Sequence, residues 1–111
     1  MISIERRDGI DIIAFTIDRI NALITDELRD EIGKVFKNGS AKVIVCLKNV
    51  KYIDSSGFGC LLSIMKTAKN NYCTMKFASP EPDVMEVLKT LNLNTVFEIY
   101  DDLDQCVRSM K

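Results

Sequence analysis

The chain contains no histidine. That absence removes the commonest general base, the Ser-His and Cys-His nucleophile pairs and the commonest zinc ligand, so hydrolase and metalloenzyme chemistry starts at a disadvantage. Charge of one sign is missing too: 15 basic residues against 16 acidic ones leave a net charge of -1. No field is available to draw in nucleic acid or an anionic membrane, and no arginine-rich or aromatic-interleaved patch compensates. No apolar run approaches the ~20 residues needed to cross a bilayer. The opening M-I-S-I-E-R-R-D-G carries charge by its fifth residue and lacks the apolar core of a signal peptide, so a cytoplasmic protein is expected. The four cysteines, Cys46, Cys60, Cys73 and Cys106, form no C-x-x-C pair. Each falls within or beside an apolar segment, which predicts reduced, buried thiols rather than metal ligands or a redox pair.

What is present is an ordinary globular composition, 47% apolar and 28% charged, in a length that fits one domain over residues 1–111. Ser3 to Arg7 and Ile10 to Ile17 are extended candidates around Asp8-Gly9, a dipeptide favoured in tight hairpins. From Thr25, read as an N-cap, Leu28, Ile32, Val35 and Phe36 recur at helical spacing until Asn38-Gly39-Ser40. Ala41 to Leu47 is an apolar run of strand length, and Cys73 to Ala78 is another strand candidate. Between them, Leu61, Leu62, Met65 and Ala68 mark a helix that stops near Asn70-Asn71. Ser79-Pro80-Glu81 is read as the opening of a third helix, with a capping serine and an inner stripe of Val84, Val87, Leu88 and Leu91. Thr95 to Tyr100 reads as a last strand, and Asp101-Asp102 opens a final helix facing inward at Leu103, Cys106 or Val107, and Met110. The alternation predicts an α/β fold: a mixed sheet of about five strands, begun by an antiparallel hairpin and flanked by about four helices. Met65, Met75, Met85 and Met110 sit at spacings that assign most of them to core packing.

The most informative stretch is Y-I-D-S-S-G-F-G-C, Tyr52 to Cys60, at a strand-to-helix turn. Functional groups in open α/β sheets collect at such places. Free amides at a helix start accept negative charge, so a hydroxyl placed there can carry a phosphate. The plainer reading is a capping turn, in which Asp54 and the serines satisfy amides while Gly57 and Gly59 let the backbone bend and pack closely. Several catalytic readings fail on spacing. A nucleophile elbow needs glycine two residues before the serine, where Ile53 or Asp54 stands. A phosphate-binding loop needs a lysine after its glycines, and the chain continues Cys60-Leu61-Leu62; dinucleotide binding needs a third glycine where Leu62 stands. A phospho-aspartate at Asp54 would need acidic metal ligands at neighbouring strand ends, and only Asp18 is offered.

The segment V-K-Y-I-D-S-S-G-F-G-C-L-L resembles the D-S-S-G signature of the STAS domain, specifically of bacterial anti-sigma factor antagonists. The resemblance takes in the opening hairpin, the N-A-L-I-T-D-E-L entry to the first helix and the apolar strand before the signature, and so implies a single STAS domain over residues 1–111. It also implies a function without catalysis or cofactor. An anti-sigma factor that is also a serine kinase would phosphorylate Ser56, with Ser55 as the competing acceptor. The unmodified protein would hold that partner and free a sigma factor. The phosphorylated form would let go, and a PP2C-type protein phosphatase would restore it. Asp54, Ser55, Gly57, Phe58, Gly59 and Asn21 are the expected phosphosite-turn and partner-binding residues, and Phe58 can be read either as a contact anchor or as core. Many family members carry an acidic residue where this chain has Asn21, which keeps hydrogen-bonding capacity without charge; a turn asparagine is the plainer reading. The other function the family suggests is a ligand-sensing or scaffold module that binds a nucleotide or other STAS proteins. A monomer or weak homodimer is expected.

Overall fold

The computed structural model describes residues 1–111. The element order is β1 (Ile2–Arg7), β2 (Ile10–Phe15), β3 (Arg19–Ile20), α1 (Thr25–Lys37), β4 (Lys42–Cys46), β5 (Tyr52–Ile53), α2 (Ser55–Asn70), β6 (Thr74–Ala78), α3 (Pro82–Thr90), a 3-10 turn (Leu93–Thr95), β7 (Ile99–Tyr100) and α4 (Leu103–Ser109). Asp8 and Gly9 both take positive φ, 54° and 78°, as a two-residue hairpin turn between β1 and β2 requires. The main sheet runs β1-β2-β4-β6-β7, antiparallel at the first pair and parallel thereafter. This is the predicted α/β architecture, with its five-stranded mixed sheet, opening hairpin and four helices.

The apolar run in β4 is continuous because both of its faces are covered. Val43 and Val45 pack with Ile13, Phe77 and the inner faces of α1, α2 and α3, while Ile44 and Cys46 pack with Ile10, Ile12, Ala78 and α4. The three crossover helices therefore lie on one side of the sheet and α4 on the other.

Several local expectations are corrected. Thr25 is the first residue of α1 rather than its cap; Ile24 holds the cap position without a side-chain bond, and Thr25 Oγ1 donates to Ala22 O at 3.4 Å. Ser79 does not cap α3 either. It sits at φ 55°, donates its amide to Tyr100 O, and the helix starts three residues later with Pro82 in its first turn. Only Val84 and Leu88 of the expected stripe are buried, because α3 is only nine residues long and lies at the edge of the layer, leaving Val87 and Leu91 exposed. The last strand shrinks to Ile99–Tyr100. Left-handed Asn92 turns the chain after α3, and Leu93 O takes the amides of Val96 and Phe97, seating Phe97 against Phe77 with ring centroids 4.5 Å apart.

Candidate functional site

A second, two-stranded sheet positions the serine turn, and nothing in the sequence pattern announced it. β3 pairs in parallel with β5, Arg19 with Tyr52 and Ile20 with Ile53. Asp18 O accepts the amides of Lys51 (2.8 Å) and Tyr52 (3.2 Å), and Ile20 O accepts that of Asp54 at 3.1 Å. This ladder brings Asn21 and Asp54, 33 positions apart in the sequence, to the ends of adjacent strands. Two-residue strands are too short to leave a periodicity, so only their result can be seen in the structure.

Asp54 is extended (φ -87°, ψ -178°) and caps α2: its Oδ1 accepts the Gly57 amide at 2.8 Å, and its carbonyl accepts that of Phe58 at 3.0 Å. Gly57 is glycine because of what lies beside it. A Cβ there would stand 2.6 Å from both Ile20 O and Ile53 Cγ2, so the first turn of α2 is pressed directly onto the β3–β5 pair. Gly59 meets no such demand, since a Cβ would find nothing within 4 Å. The close-packing role expected of both glycines belongs to Gly57 alone.

Ser55 and Ser56 are both exposed in the first turn of the 16-residue α2. Their amides have no carbonyl a turn earlier to bond, and the helix dipole makes this end favourable for negative charge. Alone among the four α-helices, α2 has no acidic residue in its first turn; α1 has Asp26 and Glu27, α3 has Asp83 and α4 has Asp104. Ser56 shares a helix face with Cys60, four residues on. The Cys60 thiol lies 3.6 Å from Thr25 O at the start of α1. Burial pushes the Cys60 pKa up, and the Arg29 guanidinium partly pulls it back.

The other expected site residues divide. Asn21 forms a turn: its side-chain oxygen accepts the Leu23 amide at 3.0 Å and its carbonyl accepts that of Ile24 at 3.1 Å. Phe58 is 4% exposed within the main core, so its ring is not available as a contact anchor; α2 turns position 58 toward the sheet and α3. One exposed residue that sequence reasoning passed over lies in the Asn21 turn. Leu23, on the loop between β3 and α1, is 92% exposed. No group of three or more Cys, Asp or Glu side chains is placed to hold a metal ion, and no helix is long and apolar enough to cross a membrane.

Comparison with known proteins adds the family. The STAS domain model matches residues 1–106. A Thermotoga maritima protein provisionally named an anti-sigma factor antagonist is 27% identical over 73 residues, covering 66% of this chain and 65% of that protein, so the match spans slightly under two thirds of the relative's length. Among solved structures, an anti-sigma factor antagonist domain protein from Planctomyces limnophilus superposes with TM-score 0.86 at 18% identity, covering 98% of this chain and 97% of its own. The anti-sigma factor antagonist SpoIIAA is known in two forms. Its unphosphorylated form gives TM-score 0.79 at 16% identity over 99% of this chain and 96% of that one. The phosphorylated form, described as a Bacillus cell fate determinant, gives 0.73 at 15% over the full length of both. At these identities the structures speak for the fold, and the family match over 106 of 111 residues speaks for descent. The chain belongs to the STAS domain family.

Proposed function

We propose that this protein is an anti-sigma factor antagonist that works by partner switching, with Ser56 as the phosphorylated residue. The observation that carries this reading is the spare hydroxyl. Asp54 already fills the cap position of α2, so neither serine is needed for that bond. Both serines are nevertheless presented to solvent at the one helix start that has no fixed negative charge in its first turn. Ser56 is preferred over Ser55 as the second serine of the signature. It also stands on the side of α2 that carries the contact between Cys60 and the start of α1.

In this reading the unmodified protein binds an anti-sigma factor that is also a serine kinase, and that partner transfers phosphate to Ser56. The chain is substrate and partner and performs no catalysis. Phosphate adds about -1.5 to -2 charges at neutral pH, which the free amides of the first turn accept locally. The fold stays as it is and the partner surface bears the repulsion and desolvation. Each ~1.4 kcal/mol lost there weakens binding about tenfold, so a modest penalty separates bound from free. A PP2C-type phosphatase resets the switch. The names of the relatives, one of them solved in a phosphorylated form, support this reading.

The test is to incubate the protein with its cognate kinase and ATP and to map the product by mass spectrometry. One phosphate on Ser56, abolished in Ser56→Ala, is expected. Stoichiometric labelling elsewhere that persists in Ser56→Ala would refute the assignment. Ser56→Asp is expected to weaken binding of the kinase at least about tenfold.

A further inference from the structure

The loop between β3 and α1 is fastened to α2 at both ends. At its start, Ile20 O lies 2.6 Å from where a Gly57 Cβ would be; at its end, Thr25 O lies 3.6 Å from Cys60 Sγ. Residues 21–24 therefore run alongside the first turns of α2, on the side of Ser56. Within that loop the backbone is held by Asn21, whose side-chain oxygen takes the Leu23 amide and whose carbonyl takes that of Ile24. Ile24 turns in and packs on the main core, while Leu23 turns out and is 92% exposed. It is more exposed than any other large aliphatic side chain in the protein. A scattered surface leucine needs no explanation. This one is held in a hydrogen-bonded turn, on a loop whose ends are fastened to Gly57 and Cys60, one and four residues after the candidate phosphosite.

Resting on the partner-switching reading above, we propose that Leu23 is the apolar anchor by which the unphosphorylated protein docks on its anti-sigma factor kinase, entering an apolar socket next to the surface that reads Ser56. The occupant follows from dimensions. A standard interface covers ~800 Å² per partner, roughly 32 Å across. The three residues from Ile20 to Leu23 reach at most ~11 Å even when extended, and Ile20 touches the residue after Ser56. A footprint of ordinary size centred on Ser56 reaches as far as Leu23. Because the turn is fixed before binding, little loop entropy is lost on docking. The side chain that leaves water is a whole leucine, worth about tenfold or more in affinity. Ser56 then acts as the switch and Leu23 as the grip, and phosphorylation works against a contact it does not itself touch.

The experiment titrates each small serine-kinase-type anti-sigma factor of the source genome, purified, against the wild-type protein, Leu23→Ala, Leu23→Met and Ser56→Asp by calorimetry. Binding of the wild type to one of them is expected, with Leu23→Ala about tenfold weaker and Leu23→Met close to wild type. Thermal midpoints should be unchanged, since the side chain is in water. The methyl resonances of Leu23 should lose their exposure to a soluble paramagnetic probe in the complex. If Leu23→Ala binds as well as wild type while Ser56→Asp still loses affinity, the anchor is refuted and the switch stands. If the wild-type protein binds none of the kinases, the partner-switching reading falls and the anchor falls with it.

Discussion

α2 and α4 begin with the same local chemistry. Asp54 Oδ1 takes the Gly57 amide at 2.8 Å, and Asp102 Oδ1 takes the Gln105 amide at 2.7 Å. Within the next turn or two, each helix buries a cysteine whose thiol lies against a carbonyl of a neighbouring element, Cys60 on Thr25 O (3.6 Å) and Cys106 on Phe77 O (3.7 Å). The contrast lies in the three residues after the cap. In α4 these are Leu103, half-buried in the smaller core, Asp104, a permanent charge paired with Arg7 at 3.2 Å, and exposed Gln105. In α2 they are two exposed serines and a glycine pressed onto Ile20 and Ile53. α4 has at its second position the fixed charge that, in the proposed switch, α2 acquires and loses. An aspartate cap alone marks a helix start; a site needs the uncharged, exposed hydroxyl and the rail that holds the turn.

The largest effect should come from breaking that rail. Gly57→Ala places a methyl 2.6 Å from a backbone carbonyl and from Ile53, and neither can yield cheaply. We expect a loss of about 3 kcal/mol, at the upper end of the overpacking range, read as a lowered denaturant midpoint. Gln105→Ala, the matching position of α4, should stay within about 0.5 kcal/mol because Gln105 is exposed. Equal losses at the two positions would show that the β3–β5 pair does not distinguish the two helix starts.

Next in size is the alkaline limb of stability, which separates the two thiols. Burial raises Cys106 from its ordinary 9.0 to about 11. Below pH 9 that thiol is neutral in both folded and unfolded chains. Between about 9 and 11 the unfolded chain gives up a proton that the folded chain keeps, so stability falls as pH rises, by about 2–3 kcal/mol for a shift of this size. Cys60 is raised as well, but Arg29 favours its ionised form and offsets part of the burial. Cys106→Ala should flatten the decline in stability between pH 9 and 11 more than Cys60→Ala does. The reverse order in urea titrations at stepped pH would show that Arg29 offsets less of the burial at Cys60 than Lys76 offsets at Cys106.

The same contrast explains what could be read from the sequence. The hairpin at Asp8-Gly9, the doubly buried β4 and the last helix opened by Asp101-Asp102 rest on local signals, a turn dipeptide, an apolar run and an acidic pair at a helix start, and all three stand in the structure. The serine turn was legible for the same reason. The rail was not, because a pair of two-residue strands carries neither periodicity nor a turn signature, and its register depends on chain segments more than thirty residues apart. Val87 and Leu91 failed differently: helical spacing says which side of α3 they share, and only tertiary packing decides how much of that side is covered. Leu23 left no signal, since one apolar residue in a loop has no pattern to belong to.

A smaller effect comes from removing the caps. Asp54→Ala and Asp102→Ala should each cost about 1 kcal/mol, the usual value of a lost N-cap. The two variants should match in stability and differ in partner binding, which only Asp54→Ala should weaken, because only its turn presents Ser56. A loss of kinase binding in Asp102→Ala would place part of the partner surface on the α4 side of the sheet and would break the comparison.

The smallest expected change in stability is the sharpest test, because it exchanges the two helix starts at the corresponding position that carries the charge in one and the hydroxyl in the other. Ser56 and Asp104 are each the second residue after their capping aspartate. A negative charge in the first turn stabilises a helix by about 0.3–1 kcal/mol at low salt. Ser56→Asp should therefore be neutral or slightly stabilising. Asp104→Ser should lose a comparable amount, with little more from its pair with Arg7, because Asp104 is 76% exposed and exposed pairs contribute about 0–1 kcal/mol. Both shifts should fade toward 1 M salt as the dipole interaction is screened. Folding would then be nearly indifferent to which helix start holds the charge. Binding would not be, since only Ser56→Asp changes the surface offered to the kinase. A Ser56→Asp protein that unfolds with a much lower midpoint would mean that the hydroxyl is part of the fold, and a charge added there could not act as a reversible switch.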